Sequence, residues 1–512
     1  MPLKDFFSKY WRWILFSGFF ILFFSLLTVH DFNDMGGDSA QYIILAESLA
    51  SGQGYHAVNY PDKPFFYHYP PLFSLFLMPI VYFFGRNFFL MHCLLGVFGF
   101  FTLIIFYFLF KKYSDSKISF IAVCLLMCTI PFFNYISVHI LSEMVYLFFS
   151  AGALFALAYY SERNNAVNRD GFVFVFLLAA AYLTRYSALA LVVGVLIFLL
   201  VKGRVSQQSI KKIFFVGGIF LLVFLLWRGI ANFYNHGSEA VYLHQFSMID
   251  PYNLGKGSVV DNLGQFWSNF GNRLLYYIFW SGMLLAIPLH LSHVLLGIFS
   301  FIILCLIIYG IWQMHREKGL QTFSIYFFIY LCLIASWPFG QASSRETMRF
   351  LLPILPFICV YFIYGLYRSF TRLSWRIFYI VITILILISA GTILTERPLK
   401  STDIVGPHVD LMNIYHYMHD SSLEKDTVLT RYPVPLSFYT GYPALVFPYT
   451  DDAEIIKRFI KEKNIKYIVI DHVSSQTRRY LVPAVVENIK RLNMLYRSGH
   501  SVLLEIKDIS EW

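Results

Sequence analysis

Apolar runs of about 20 residues recur along most of the chain, divided by short polar stretches, and give way near residue 395 to a mixed, charged tail. Coiled as a helix, such a run matches a hydrocarbon core roughly 30 Å thick, where backbone polar groups are satisfied only in helices or closed barrels. The runs lack the two-residue alternation of barrel strands, so the pattern predicts membrane helices. Eleven spans are expected, near 11–29, 88–110, 118–136, 142–160, 171–184, 187–201, 213–234, 293–313, 321–339, 350–367 and 377–395. The run from Leu72 to Phe84 holds about 13 apolar residues before Gly85 and Arg86. That is short for a crossing and reads as an interfacial or re-entrant helix.

Charge decides the orientation. With Leu72 to Phe84 left at the interface, one set of helix ends collects 17 Lys and Arg, among them Lys211, Lys212, Arg316, Lys318, Arg368, Arg372 and Arg376, while the opposite loops collect seven. The basic ends are cytoplasmic by the positive-inside bias. The N-terminus is then cytoplasmic, Trp11 to Val29 is a retained first span, and loops 30–87 and 235–292 lie outside, the apolar stretch Leu274 to Leu289 included. An odd number of spans also places the tail outside. The chain divides into a membrane domain, 1–395, and an extracytoplasmic α/β domain, 396–512, in which DTVLT and KYIVID read as buried strands and AEIIKRFIKEKN as a helix between them. The fold class is mainly α.

Composition supports this reading: 58% hydrophobic and 20% aromatic against 14% charged residues is far from a soluble domain. The net charge of +10 invites a nucleic-acid partner, but residues 396–512 hold 15 basic and 15 acidic side chains. The excess therefore belongs to the membrane domain, where topology explains it, and no nucleic acid is expected. All six cysteines lie within apolar runs and read as packing residues.

Candidate chemistry concentrates in the first outer loop, which carries Asp31, Asp34, Asp38, Glu47 and Asp62 beside the membrane. Asp31, Asp34 and Asp62 read as solvated. Asp38 differs: Gly36 and Gly37 free the backbone before it, and the amphipathic SAQYIILAESLA that follows places Asp38 to cap a helix. A carboxylate so held can orient a hydroxyl nucleophile and accept its proton. Arg185, Arg228, Arg345 and Arg349 all fall at or near the outer interface, where cations can hold an anionic phosphate or snorkel to headgroups. His30, His56, His68, His92 and His139 show no helical metal-ligand spacing and read as solvated or interfacial.

The string GGDSAQYIILAESLASGQGY followed by HYPPLFSLFLMPIVYFFG resembles the first outer loop of C-type membrane glycosyltransferases of the protein-mannosyltransferase and aminoarabinose-transferase type. Three further segments fit in order: NYISVHILSEMVYLFF with Glu143, AAYLTRYSALALVVGVL with Arg185, and SSRETMRFLLPILPF with Arg345 and Arg349. The resemblance spans about residues 10–370 and implies that Asp38 is the catalytic carboxylate, Glu143 a second acidic site residue, and Arg185, Arg345 and Arg349 the donor-phosphate ligands. Ser39 stands where the family usually has Glu. His68 and Tyr69 stand where relatives often carry an acidic residue and a lysine, and with Arg228 they are additional candidates. The implied activity is inverting transfer of a hexosyl or pentosyl group from a polyprenyl-phosphate donor to a lipid, glycan or protein acceptor, in a bacterial inner membrane. A divalent metal on Asp38 and Glu143 stays open, as in the more distant oligosaccharyltransferases. The alternatives are another membrane transferase, such as an O-antigen ligase or acyltransferase, and a secondary transporter, although repeated halves and midplane charges, the marks of a transporter, are not seen.

Overall fold

The computed structural model describes residues 37–137, 139–204, 206–234, 263–286, 292–337, 344–370 and 408–509, with two short helical pieces around 383–388. The expected first and last spans, His30, Asp31, Asp34 and most of the second outer loop lie outside the described residues. The membrane half consists of helices α1 (Asp38–Ala50), α2 (Leu72–Phe84), α3 (Phe88–Tyr113), α4 (Ser116–Met127), α5 (Ile130–Ser137), α6 (Glu143–Tyr160), α7 (Arg169–Thr184), α8 (Ala188–Lys202), α9 (Gln207–Tyr234), α10 (Leu263–Ala286), α11 (His293–Lys318), α12 (Ser324–Ser336), α13 (Ser344–Leu351) and α14 (Leu355–Phe370). Among the described residues five helical stretches are long and apolar enough to cross a membrane: α3, α6, α9, α11 and Thr347–Phe370.

Several starts are set by side chains that satisfy first-turn N–H groups. The Oδ1 atoms of Asn87, Asp115 and Asn168 accept from Leu90 N, Ile118 N and Gly171 N and open α3, α4 and α7. Two expected spans are interrupted. That at 118–136 breaks between α4 and α5, where Thr129 Oγ1 bonds back to Leu126 O and Pro131 lacks a donor. That at 350–367 passes through a 3-10 turn, Leu352–Ile354, beside Pro353 and Pro356. The α11–α14 crossing brings backbones into contact: a Cβ on Gly310 would lie 1.9 Å from Tyr361 O, and one on Gly365 2.1 Å from Leu306 O. Only hydrogen fits there, the usual basis of close helix packing in lipid.

The two ends of α6 differ in charge. Its N-terminus begins with Glu143. At its C-terminus, Lys112 Nζ donates to Ala158 O (2.6 Å), and Lys212 Nζ donates to Tyr160 O, Ser161 O and Arg163 O at 3.2, 3.1 and 2.6 Å. Lys202 Nζ adds a bond to Ser161 Oγ. Carbonyls that would otherwise be orphaned are thereby met by cations, in the sense favoured by the helix dipole.

The position of α2 follows from its two ends. Near its start, Tyr42 of α1 packs on Phe73 with centroids 4.9 Å apart. Just past its end, Arg86 forms a two-point ion pair with Glu47 of the same α1, at 2.5 and 3.0 Å. Arg86 also reaches Phe438 of the tail. The α2 helix thus lies alongside α1, with each of its ends held against that helix.

The tail forms a five-stranded sheet in the order β2-β1-β3-β5-β4, with β1 (Thr427–Leu429), β2 (Ala444–Leu445), β3 (Ile465–Ile470), β4 (Leu492–Ser498) and β5 (Ser501–Ile506). β1 runs parallel to β2 and β3, while β5 is antiparallel to β3 and β4. α15 (His408–Asp420) and α16 (Pro433–Thr440) cover one face, and α17 (Ala453–Glu462) and α18 (Val482–Glu487) the other. The strands and helix read from the sequence are β1, β3 and α17.

Candidate active site

Four segments far apart in sequence converge at the start of α1. Gly37 adopts φ +88°, a left-handed conformation open to glycine at little cost, and its carbonyl accepts from Gln41 N at 2.9 Å. Gly37, not Asp38, is the N-cap residue. Asp38 occupies the first helical position and makes no cap bond, which turns its carboxylate toward other elements.

Both carboxylate oxygens of Asp38 are engaged. Tyr69 OH donates to Oδ1 at 2.7 Å, and Arg349 Nη1 of α13 donates to Oδ2 at 2.5 Å. The Tyr69 ring stacks on Tyr42 with centroids 4.7 Å apart, and Tyr55 OH donates to Tyr69 O and Pro70 O. The segment before α2 is therefore clamped where it turns into the helix.

Arg349 also donates through Nε to Glu143 Oε1, and Arg185 Nη1 forms an ion pair with the same oxygen at 2.6 Å. Arg185 follows the last residue of α7 in extended backbone and also donates to Ser142 Oγ, which is linked to Tyr42 OH. The cluster is thus Asp38–Arg349–Glu143–Arg185, two anions and two cations. Side-chain exposure rises from 1% at Glu143 through 18% at Arg185 and 22% at Arg349 to 35% at Asp38. Glu143 is the buried anchor and Asp38 the open end. Glu143 Oε2 is enclosed and has no hydrogen-bond partner among the described residues.

The remaining candidates are Arg345, Arg228 and His68. Arg345 is in α13 one turn before Arg349, and its side chain falls outside the described residues. Arg228, on α9, stands beside Tyr182 and Tyr186. His68 packs against Phe66 and Tyr67 with centroids 5.2 and 4.5 Å away. Tyr42 and Ser142 were not singled out from sequence, although Tyr42 sits four residues after Asp38 on the same helical face, and Ser142 immediately precedes Glu143.

The residues do not fit a metal between Asp38 and Glu143. The Arg349 guanidinium already bridges the two carboxylates, and among the described residues no three His, Cys, Asp or Glu side chains gather.

Burial lowers the pKa of His68 to about 4, below its ordinary 6.5. The unfolded chain then binds the proton more readily, so this residue's contribution is intact above pH 6.5 and is lost as pH falls toward 4. Acidification from pH 7 to 5 should cost about 2 kcal/mol at this position. A His68→Gln variant should show a flatter fall in thermal stability over that interval; an identical slope would remove His68 as its source.

Comparison with known proteins bears on this arrangement. Residues 68–227 match the family profile described as dolichyl-phosphate-mannose-protein mannosyltransferase. ArnT from Cupriavidus metallidurans, solved bound to undecaprenyl phosphate, superposes with a TM-score of 0.63 at 12% identity, covering 96% of this chain and 97% of that one. The chain has the C-type glycosyltransferase fold. Two further structures share this C-type fold. The Archaeoglobus fulgidus oligosaccharyltransferase in its apo form has a TM-score of 0.57 at 12% identity, over 90% of this chain and 70% of its own. The mycobacterial arabinofuranosyltransferase AftD gives 0.52 at 11%, over 98% and 40%. No curated protein sequence gives a significant match.

Proposed function

We propose that the chain transfers a hexosyl or pentosyl group from a polyprenyl-phosphate donor to a lipid, glycan or protein acceptor at the extracytoplasmic membrane face, with inversion at the anomeric carbon. The observation that carries this reading is a half-open carboxylate, Asp38, held on both oxygens beside two arginines that share one buried glutamate. The fold is in keeping with it, as are the solved relatives, one bound to undecaprenyl phosphate and one to a dolichol-phosphate.

In this mechanism the acceptor hydroxyl approaches Asp38, which orients it and takes its proton as the new glycosidic bond forms. The bond from the anomeric carbon to the phosphate oxygen breaks on the opposite face, and polyprenyl phosphate leaves carrying the electron pair. Arg185 and Arg349 stabilise the growing phosphate charge by charge-assisted hydrogen bonds. The four described charges sum to zero, so the arriving phosphate takes a share of cations otherwise spent on Glu143 and Asp38. Tyr69 keeps Asp38 aligned while Arg349 turns to the phosphate.

The test is protein-dependent release of undecaprenyl phosphate from undecaprenyl-phosphate-linked aminoarabinose, arabinofuranose or mannose, each supplied with membrane lipid extract. Release from none of the three would refute the reading. For orientation, with the N-terminus cytoplasmic and the tail outside in a bacterial inner membrane, a Ser422→Cys variant should react with an impermeant thiol reagent on intact spheroplasts, since Ser422 is exposed. Labelling only after lysis would place the site on the other face.

A further inference from the structure

The tail touches the helix that carries Asp38 at both of its ends. At the N-terminus, a Cβ on Gly37 would lie 3.1 Å from Pro435 Cδ and 3.3 Å from Val434 Cβ, so α16 is in direct contact with the residue before Asp38. Nine residues on, about 13 Å along the helix axis, Glu47 is gripped by Arg86, whose Nη1 donates to Phe438 O of the same α16 at 2.7 Å. The Arg86 guanidinium also lies 4.2 Å from the Phe438 ring centroid. The loop after α1 is tied to the tail as well: Ala444 N of strand β2 donates to Asn59 O at 3.1 Å, and Lys463 pairs with Asp62 at 2.8 Å.

An exposed ion pair by itself contributes little, because water screens it and ordering the side chains costs entropy. Arg86 is different in geometry. Its guanidinium meets Glu47 at two points, a backbone carbonyl with a third N–H and an aromatic face, so one planar group fixes α1, the end of α2 and α16 together. Bending or sliding of α1 against α16 would break these contacts at once. The membrane bundle grips α1 through Arg349 and Tyr69, and the tail grips it through Arg86 and Gly37.

We infer that Arg86 is a positioning residue: it latches the C-terminal domain onto α1 and thereby sets where Asp38 stands relative to Arg349 and the acceptor. This rests on the glycosyltransferase reading for its catalytic consequence, although not for the latch itself. Arg86 touches no reacting atom in that reading.

The experiment uses full-length protein in detergent with two readouts. Hydrogen exchange of peptides covering 38–50 and 433–440 reports the latch, with 143–160 as the reference. Turnover of the donor that wild type accepts, together with undecaprenyl phosphate affinity, reports the catalytic effect. Arg86→Ala should raise exchange in both latch peptides together, leave 143–160 unchanged, and lower kcat about tenfold with undecaprenyl phosphate affinity within twofold. Arg86→Lys, which keeps the charge on a single ammonium nitrogen but loses the planar fork, should recover part of both effects. Unchanged exchange in the two latch peptides overturns the latch, and raised exchange with unchanged kcat overturns the positioning role. Coupled exchange in a protein that turns over none of the donors supports the latch while refuting the proposed function, so the two failures are distinguishable.

Discussion

Replacing Asp38 by asparagine should lower turnover by about 10² to 10⁴ and leave expression, folding and donor affinity nearly intact. The amide keeps the size of the side chain, and its oxygen can still accept from Tyr69 or Arg349, whose bonds to Asp38 are 2.7 and 2.5 Å long. What it loses is the capacity to take a proton. Removing the negative charge also leaves the neighbouring arginines less neutralised, so donor phosphate binding should hold steady or tighten. The expected signature is a fall in kcat with donor KM unchanged or lower, the mark of an interaction made in the transition state rather than in binding. Asp34→Asn, four residues earlier and without the glycine hinge directly before it, is the control and should be mild. If Asp34→Asn is the damaging variant and Asp38→Asn is not, the carboxylate has been misassigned. If neither slows the reaction, base catalysis from this loop is wrong.

Glu143→Ala should fail in a different way. The glutamate side chain is 1% exposed and pairs with Arg185 and Arg349 through one oxygen. Taking away one partner of a buried ion pair leaves the remaining charge without compensation, at a cost of about 3 to 5 kcal/mol. Here two cations lose it together. The variant should be recovered in lower yield and lose its monodisperse peak in size-exclusion chromatography after heating at a temperature wild type withstands. Donor turnover should disappear along with the folded fraction, in contrast to Asp38→Asn. Combining Glu143→Met with Arg185→Met, which removes charge of both signs from the buried end, should restore part of the thermal tolerance without restoring activity. A Glu143→Ala protein as heat-resistant as wild type would mean that the arginines are neutralised by something other than Glu143.

Hydrophobic run length marked the long apolar helices among the described residues, because the bilayer imposes a length and a continuity on such runs. It did not locate the breaks at Cys128–Thr129 and Leu352–Ile354, where prolines and a threonine back-bond act within runs that stay apolar throughout. In the tail, β3 was legible as a dense run of Ile, Tyr and Val. The β4–β5 hairpin was not, since the edge strand LNMLYRS is half solvated, with Asn493, Met494 and Arg497 exposed, and SVLLEI is a short mixed run that includes polar Ser501 and Glu505. The arginines and acids of the site were legible as charges at expected helix ends, but their pairing was not. That Arg349 would span Asp38 and Glu143, residues 311 and 206 positions away, depends on how α1, α6 and α13 pack. Tyr69 shows the same limit. Its place before Pro70-Pro71 was visible, whereas its bond to Asp38 depends on how the segment before α2 packs against α1.

The lysines at the far end of α6 have a mechanical meaning. With 18 residues, α6 is about 27 Å long, close to the thickness of a bilayer's hydrocarbon core. One end is moored by Lys112, Lys202 and Lys212, and the other carries Glu143. The helix therefore serves as a gauge that fixes the distance between the charge cluster and the lysine-lined end. In a thinner or thicker bilayer the lipid must deform around this gauge, so the spacing between the lysine-moored end and Glu143 is a property of the protein and not of its host membrane.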